Sequence, residues 1–187
     1  MLIMSGWAQN RANNSMVSAM DAVAEIEGRI VSAVRWRGAT ETAVTMVMGS
    51  AVTSDAALAQ QYDVRVKEII AGITKIQESI VASATAPQEK ASLDNVAQAR
   101  KAVLAATAKT REIKSAGDAQ ASQKYANNEF VPLVATYLKA QDDFVQTLEQ
   151  RREQIRAEAL ERRVQYAITG LVLSVLLLAV GLAMAWQ

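Results

Sequence analysis

Two stretches of the chain repeat apolar residues at alternating steps of three and four. Near the amino end the seam runs Met16, Ala19, Val23, Ile26, Ile30, Ala33, then Arg37 and Thr40, then Val44, Val47 and Ala51. Near the carboxyl end it runs Phe130, Val134, Tyr137, Gln141, Phe144 and Leu148, followed by Arg151 and Ile155. Such spacing lays one stripe along a helix that faces other helices, and both stripes turn polar midway. Punctuation divides the chain into four helices. The first spans about Asn10 to Ala51; GSAVTSD ends it, and Ser54 or Asp55 stands ready to cap the second. The second runs through AALAQQYDVRVKEIIAGITKIQESIVASA and stops at Thr85-Ala86-Pro87. Proline keeps the residue before it out of α geometry and suits the first turn of a third helix. Ser115-Ala116-Gly117-Asp118 supplies a C-terminal glycine and then an N-cap aspartate. The fourth helix starts there, is expected to kink at Pro132, and has no reason to stop before Trp186. Short connections make consecutive helices antiparallel neighbours, so the predicted fold is all-α, an up-down-up-down four-helix bundle whose fourth helix continues beyond it.

That continuation is AITGLVLSVLLLAVGLAMAW, Ala167 to Trp186, free of charge and about the ~20 residues needed to cross a bilayer core. It predicts a transmembrane helix. MLIMSGW at the amino end is apolar but too short to span, and it lacks the basic region and cleavage site of a signal peptide. It reads as the end of a first membrane helix over 1–8, or as a short buried apolar start. On the first reading Trp7 and Trp186 are interfacial anchors, and 9–166 is a bundle set between two membrane helices.

Composition removes whole classes of function. The chain has no cysteine and no histidine, hence no thiolate nucleophile, no imidazole acid–base chemistry and no usual zinc or copper ligands. Neither a glycine-rich phosphate loop nor a nucleophile elbow occurs, so no enzyme, cofactor or metal is expected. Twenty Lys and Arg against nineteen Asp and Glu leave a net charge of +1, with both signs spread along the chain, which argues against nucleic acid as a partner.

The polar breaks in the two seams fall at one height. At 1.5 Å per residue Arg37 stands roughly 42 Å above Gln9, and an equal rise back from Tyr166 arrives beside Tyr137. Arg35, Arg37, Thr40, Thr42, Arg100, Thr136, Tyr137, Lys139 and Gln141 then share one layer. Guanidinium forks among hydroxyl and amide donors, with Glu41 the main carboxylate expected nearby, describe a site for a small organic acid. From this layer Arg35, Arg37, Thr40, Arg100, Thr136, Tyr137 and Gln141 are the candidate ligand-binding residues. The alternative at each position is structural: a seam arginine can snorkel to water or pair with Glu41 at i+4, and a polar core residue can serve register alone. Arg35 lies two residues from Arg37 and points well away from it, toward a partner subunit or solvent.

Several segments carry a resemblance: NRANNSMVSAMDAVAEIEGRIVSAVRWRG, TETAVTMVMGS, SDAALAQQYDVRVKEI, APQEKASLDNVAQARKA and the entry of the fourth helix into AITGLVLSVLLLAVG. In this order they resemble the ligand-binding region of bacterial methyl-accepting chemotaxis receptors of the four-helix-bundle type. The resemblance implies an inner-membrane protein with its bundle in the periplasm. It also implies a homodimer through helix one (a trimer being a further possibility) and cytoplasmic signalling modules downstream of Gln187. Arg35 and Arg37 match the first of the arginines that such receptors place on helix one, while Glu41 and Thr45 stand where further arginines are expected. This departure points away from aspartate and toward citric-acid-cycle carboxylates such as malate or citrate. The rival readings are the input domain of a sensor histidine kinase and a membrane-anchored helical stalk without ligand.

Overall fold

The computed structural model describes the backbone of residues 2–185 and the side chains of residues 14, 16–172, 174, 175 and 179. It is all-helical over the described residues. Helix α1 runs Leu2–Val52, α2 Ala56–Ser83, α3 Pro87–Ser115 and α4 Ala119–Tyr125; a π-helical stretch, Ala126–Phe130, then leads into α5, Val131–Ala185. The expected breaks fall where local chemistry puts them. The Asp55 carboxylate accepts from the N–H groups of Ala57 and Leu58 at 2.8 and 3.1 Å, satisfying donors at the start of α2 that have no intrahelical partner. Pro87 opens α3 after an extended Ala86. Gly117 closes the next turn at φ +88°, and Asp118 caps α4 by accepting from Ala121 N–H at 2.8 Å.

Two expectations are revised. The first helix begins at Leu2, not near Asn10, because nothing in LIMSGWAQNRAN interrupts it. Around Pro132 the ladder widens before the proline: Val131 N–H donates to Ala126 C=O, five residues back, and the dihedrals on either side stay right-handed. A proline removes a donor and crowds the preceding turn; an added residue in that turn is one way to absorb the demand.

The chain forms two contact units, one comprising 28–149 and the other 1–27 with 150–187. In the first, Trp36, Val66, Ile73, Ile80, Val96, Phe130, Phe144 and Leu148 are buried. On α5 the buried row is the expected seam, Val134, Tyr137, Gln141, Phe144, Leu148. On α1 it is displaced. Ala33, Thr40, Val47 and Ala51 are buried as expected, but the row that alternates with them is Arg29, Trp36, Ala43 and Ser50, with Ile30, Arg37 and Val44 half-buried beside it. Polar contacts join the helices at both ends of this unit. Asp63 accepts from Arg111 at 2.9 Å and from Ser50 at 3.4 Å, and the Lys114 ammonium donates to the carbonyls of Ser50 and Thr53. At the other end Arg29 meets Glu89 at 2.6 Å and the Ser83 carbonyl at 3.2 Å.

In the second unit Ile26 is buried, and Glu27 accepts from Arg152 and Arg156 at 3.5 and 3.2 Å. Among the described residues no helix is long and apolar enough to cross a membrane. The stretch 167–186 extends past the residues whose side chains are described, and the expected anchors at Trp7 and Trp186 lie outside them.

Candidate functional site

The polar break in the two seams is a hydrogen-bonded cluster in the bundle interior. Trp36 Nε1–H donates to the Tyr137 hydroxyl at 2.9 Å, with the rings edge to face at 6.4 Å and 67°. Gln141 Nε2 donates to Thr40 Oγ1 at 3.1 Å, and Thr40 Oγ1 donates to the Trp36 carbonyl at 3.0 Å. The Gln141 Oε1 atom is buried without a partner. Burial pushes the Tyr137 phenol above its ordinary value of 10.0, opposed by hydrogen bonds with Thr40 and Trp36 and by the charge of Arg100. Three of the sequence-derived candidates, Thr40, Tyr137 and Gln141, are thus brought together. Trp36 joins them unforeseen; a step of three from Ala33 and four to Thr40 was the signal that pointed to it.

The remaining candidates separate. Arg37 sits at the rim: Nε and Nη2 donate to the two Asp142 carboxylate oxygens at 2.5 and 3.3 Å, and Nη1 donates to Glu41 at 2.7 Å. The Asp142 hydrogen bond leads the causes that raise the guanidinium above its ordinary value. Its charge is already met by two carboxylates, the expected Glu41 and, unforeseen, Asp142, adjacent to Gln141 in sequence. Arg35 is exposed, as is Thr136, whose hydroxyl donates to the Pro132 carbonyl at 3.1 Å. Lys139 pairs with Asp143 at 2.6 Å.

Arg100 differs from the others. It is half-buried and donates only to neutral acceptors, the Gln77 side-chain carbonyl and the Thr74 hydroxyl, the latter at 2.7 Å. It also lines a narrow cavity of about 40 Å³ between α1, α2, α3, the π-helical stretch and α5. Apolar side chains form most of the wall, among them Ala43, Val66, Ile73, Val103 and Phe130; Thr40, Thr107 and Tyr137 also line it, but the surface it presents is almost wholly apolar. By volume it holds roughly three waters. No protein-family model matches this chain, and no curated protein matches it significantly.

Proposed function

We propose that the chain is the sensor region of a bacterial transmembrane chemoreceptor, with 9–166 as an up-down-up-down periplasmic bundle between the end of a first inner-membrane helix at 1–8 and a second at 167–186. It binds a small organic acid and passes a displacement of the last helix to cytoplasmic modules beyond Gln187. The observation that carries this reading is α5. Tyr137 and Gln141 belong to the same uninterrupted helix, Val131–Ala185, that runs into the charge-free stretch beginning at Ala167. A ligand acts on such a helix only by preferring one arrangement of it; a tenfold preference amounts to about 1.4 kcal/mol.

Contacts within 28–149 support the antiparallel order. Ser50 meets Asp63 while Arg29 meets Ser83, and Asp63 meets Arg111 while Thr74 meets Arg100; in each pair of helices one number falls as the other rises. Pairing through helix one is supported by Val31 and Val34, which are half exposed beside Arg35. A di- or tricarboxylate, the class implied by the resemblance, reaches Arg37 only by displacing Asp142 and Glu41. The same saturation of Arg37 favours the stalk as second reading, in which every charge on the bundle is structural.

Thermal unfolding of the chain in detergent, against a panel of amino acids and mono-, di- and tricarboxylates, separates the two. A ligand at 100 times its Kd adds roughly 2.7 kcal/mol, so the sensor reading expects a selective rise in midpoint with some acid. A midpoint that no compound moves leaves the stalk.

A further inference from the structure

Six arginines lie within 28–149. Arg29, Arg37, Arg65 and Arg111 each pair with a carboxylate, and Arg35 is exposed. Arg100 is the half-buried one whose charge meets no carboxylate among the described residues. Two of its five N–H groups are used, both by neutral oxygens. A cation held partly out of water without a counter-charge is costly, and an anion that reaches it gains a charge-assisted, bidentate contact.

The cavity beside Arg100 limits which anion fits. Its space of about 40 Å³ is well short of the ~150 Å³ that accepts a benzene ring. The surface it presents is almost wholly apolar, with the Thr40 and Thr107 hydroxyls donating to the carbonyls of Trp36 and Val103, and no second cation lines it. A second carboxylate would be desolvated against Val44, Val47 or Ile70 with nothing to pair it, whereas an alkyl group is at home there.

We propose that the bundle binds a short-chain aliphatic monocarboxylate of roughly two to four carbons, its carboxylate on the Arg100 guanidinium and its alkyl tail in the cavity walled by Ala43, Val66, Ile73 and Phe130. This rests on the sensor reading and names its ligand class, placing the site inside one bundle and away from Arg35 and Arg37. Tyr137 and Thr40 line the same cavity as Arg100, so an acid bound there adjoins the cluster that ties α1 to α5.

Titration calorimetry of the whole chain in detergent with acetate, propionate, butyrate, malate and citrate tests it. Saturable binding of propionate and butyrate is expected, with affinity falling about tenfold or more in Arg100→Gln. Ala43→Val narrows the cavity and should weaken butyrate more than acetate, so chain-length selectivity carries the test even if Arg100→Gln does not fold. Monocarboxylate affinities that neither substitution changes overturn the site. Malate or citrate binding more tightly than the monocarboxylates, and surviving Arg100→Gln, overturns the site while the sensor reading stands. Binding of none of the five overturns the site, and the wider thermal-unfolding panel then decides the sensor reading.

Discussion

Glu89 is 1% exposed, and its one ionic partner among the described residues is Arg29, itself 8% exposed with its Nε buried and unpaired. Neither charge can return to water without opening the packing around the α2–α3 connection, so the pair behaves as one object. Removing one partner strands the other: Glu89→Gln is expected to destabilise the fold by about 3–5 kcal/mol. Replacing both, Arg29→Met with Glu89→Leu, removes the desolvation cost together with the attraction and should come out near neutral or more stable. Urea unfolding of the three proteins decides this, and equal losses in the single and double variants would contradict the buried-pair account. Arg37 presents the opposite case. Its side chain is 32% exposed, and water screens its bonds to Asp142 and Glu41, so their loss costs far less.

Among the helices, α1 is the one whose sequence least specifies its own packing. Gly28 and Gly38 have open space where a Cβ would go, whereas a Cβ on Gly49 would lie 2.9 Å from the Tyr62 ring. Alanine at 28 or 38 should therefore stabilise by up to about 1 kcal/mol through helix propensity. Gly49→Ala should gain nothing, because the Tyr62 ring must shift to admit the methyl; thermal midpoints of the three variants check the contrast. The same helix explains what was legible beforehand. Caps and breaks at Asp55, Pro87 and Gly117-Asp118 depend on neighbouring residues and could be read directly. The α5 seam could be read because apolar residues occupy it almost throughout. On α1 a seven-residue repeat through Ile26, Ala33, Thr40 and Val47 fits either of two intermediate rows, and hydrophobicity favoured Ile30 and Val44. The choice fell to Trp36, whose indole finds the Tyr137 hydroxyl 101 residues away, and to Arg29, whose partner lies 60 residues away. Height alone placed Thr40, Tyr137 and Gln141 together. The neutralisation of Arg37 by Asp142 depends on direction around the helix axis, which height does not carry. Likewise Pro132 announces a disturbance, but its site at Ala126–Phe130 reflects the burial of both residues that bound it.

Across the chain, positive and negative residues nearly balance, and in 28–149 most arginine charge is spent internally. Arg100 is the half-buried exception. Lys114 is spent differently: its ammonium covers the carbonyls of Ser50 and Thr53 where α1 ends, a place where a cation is favoured. Acylation needs the amine open to the reagent, and Lys114 is open only when it leaves those carbonyls. Lys139 is held only by Asp143 at the surface, with a side chain 73% exposed, and water competes freely for that contact. With a limiting pulse of an acylating reagent, peptide mass spectrometry should find Lys114 modified much more slowly than Lys139, and equal rates would contradict the contact. The lysine is thus a natural chemical clock at one end of the bundle: its labelling rate, taken against Lys139, counts how often that end comes apart, with no probe attached and no residue changed.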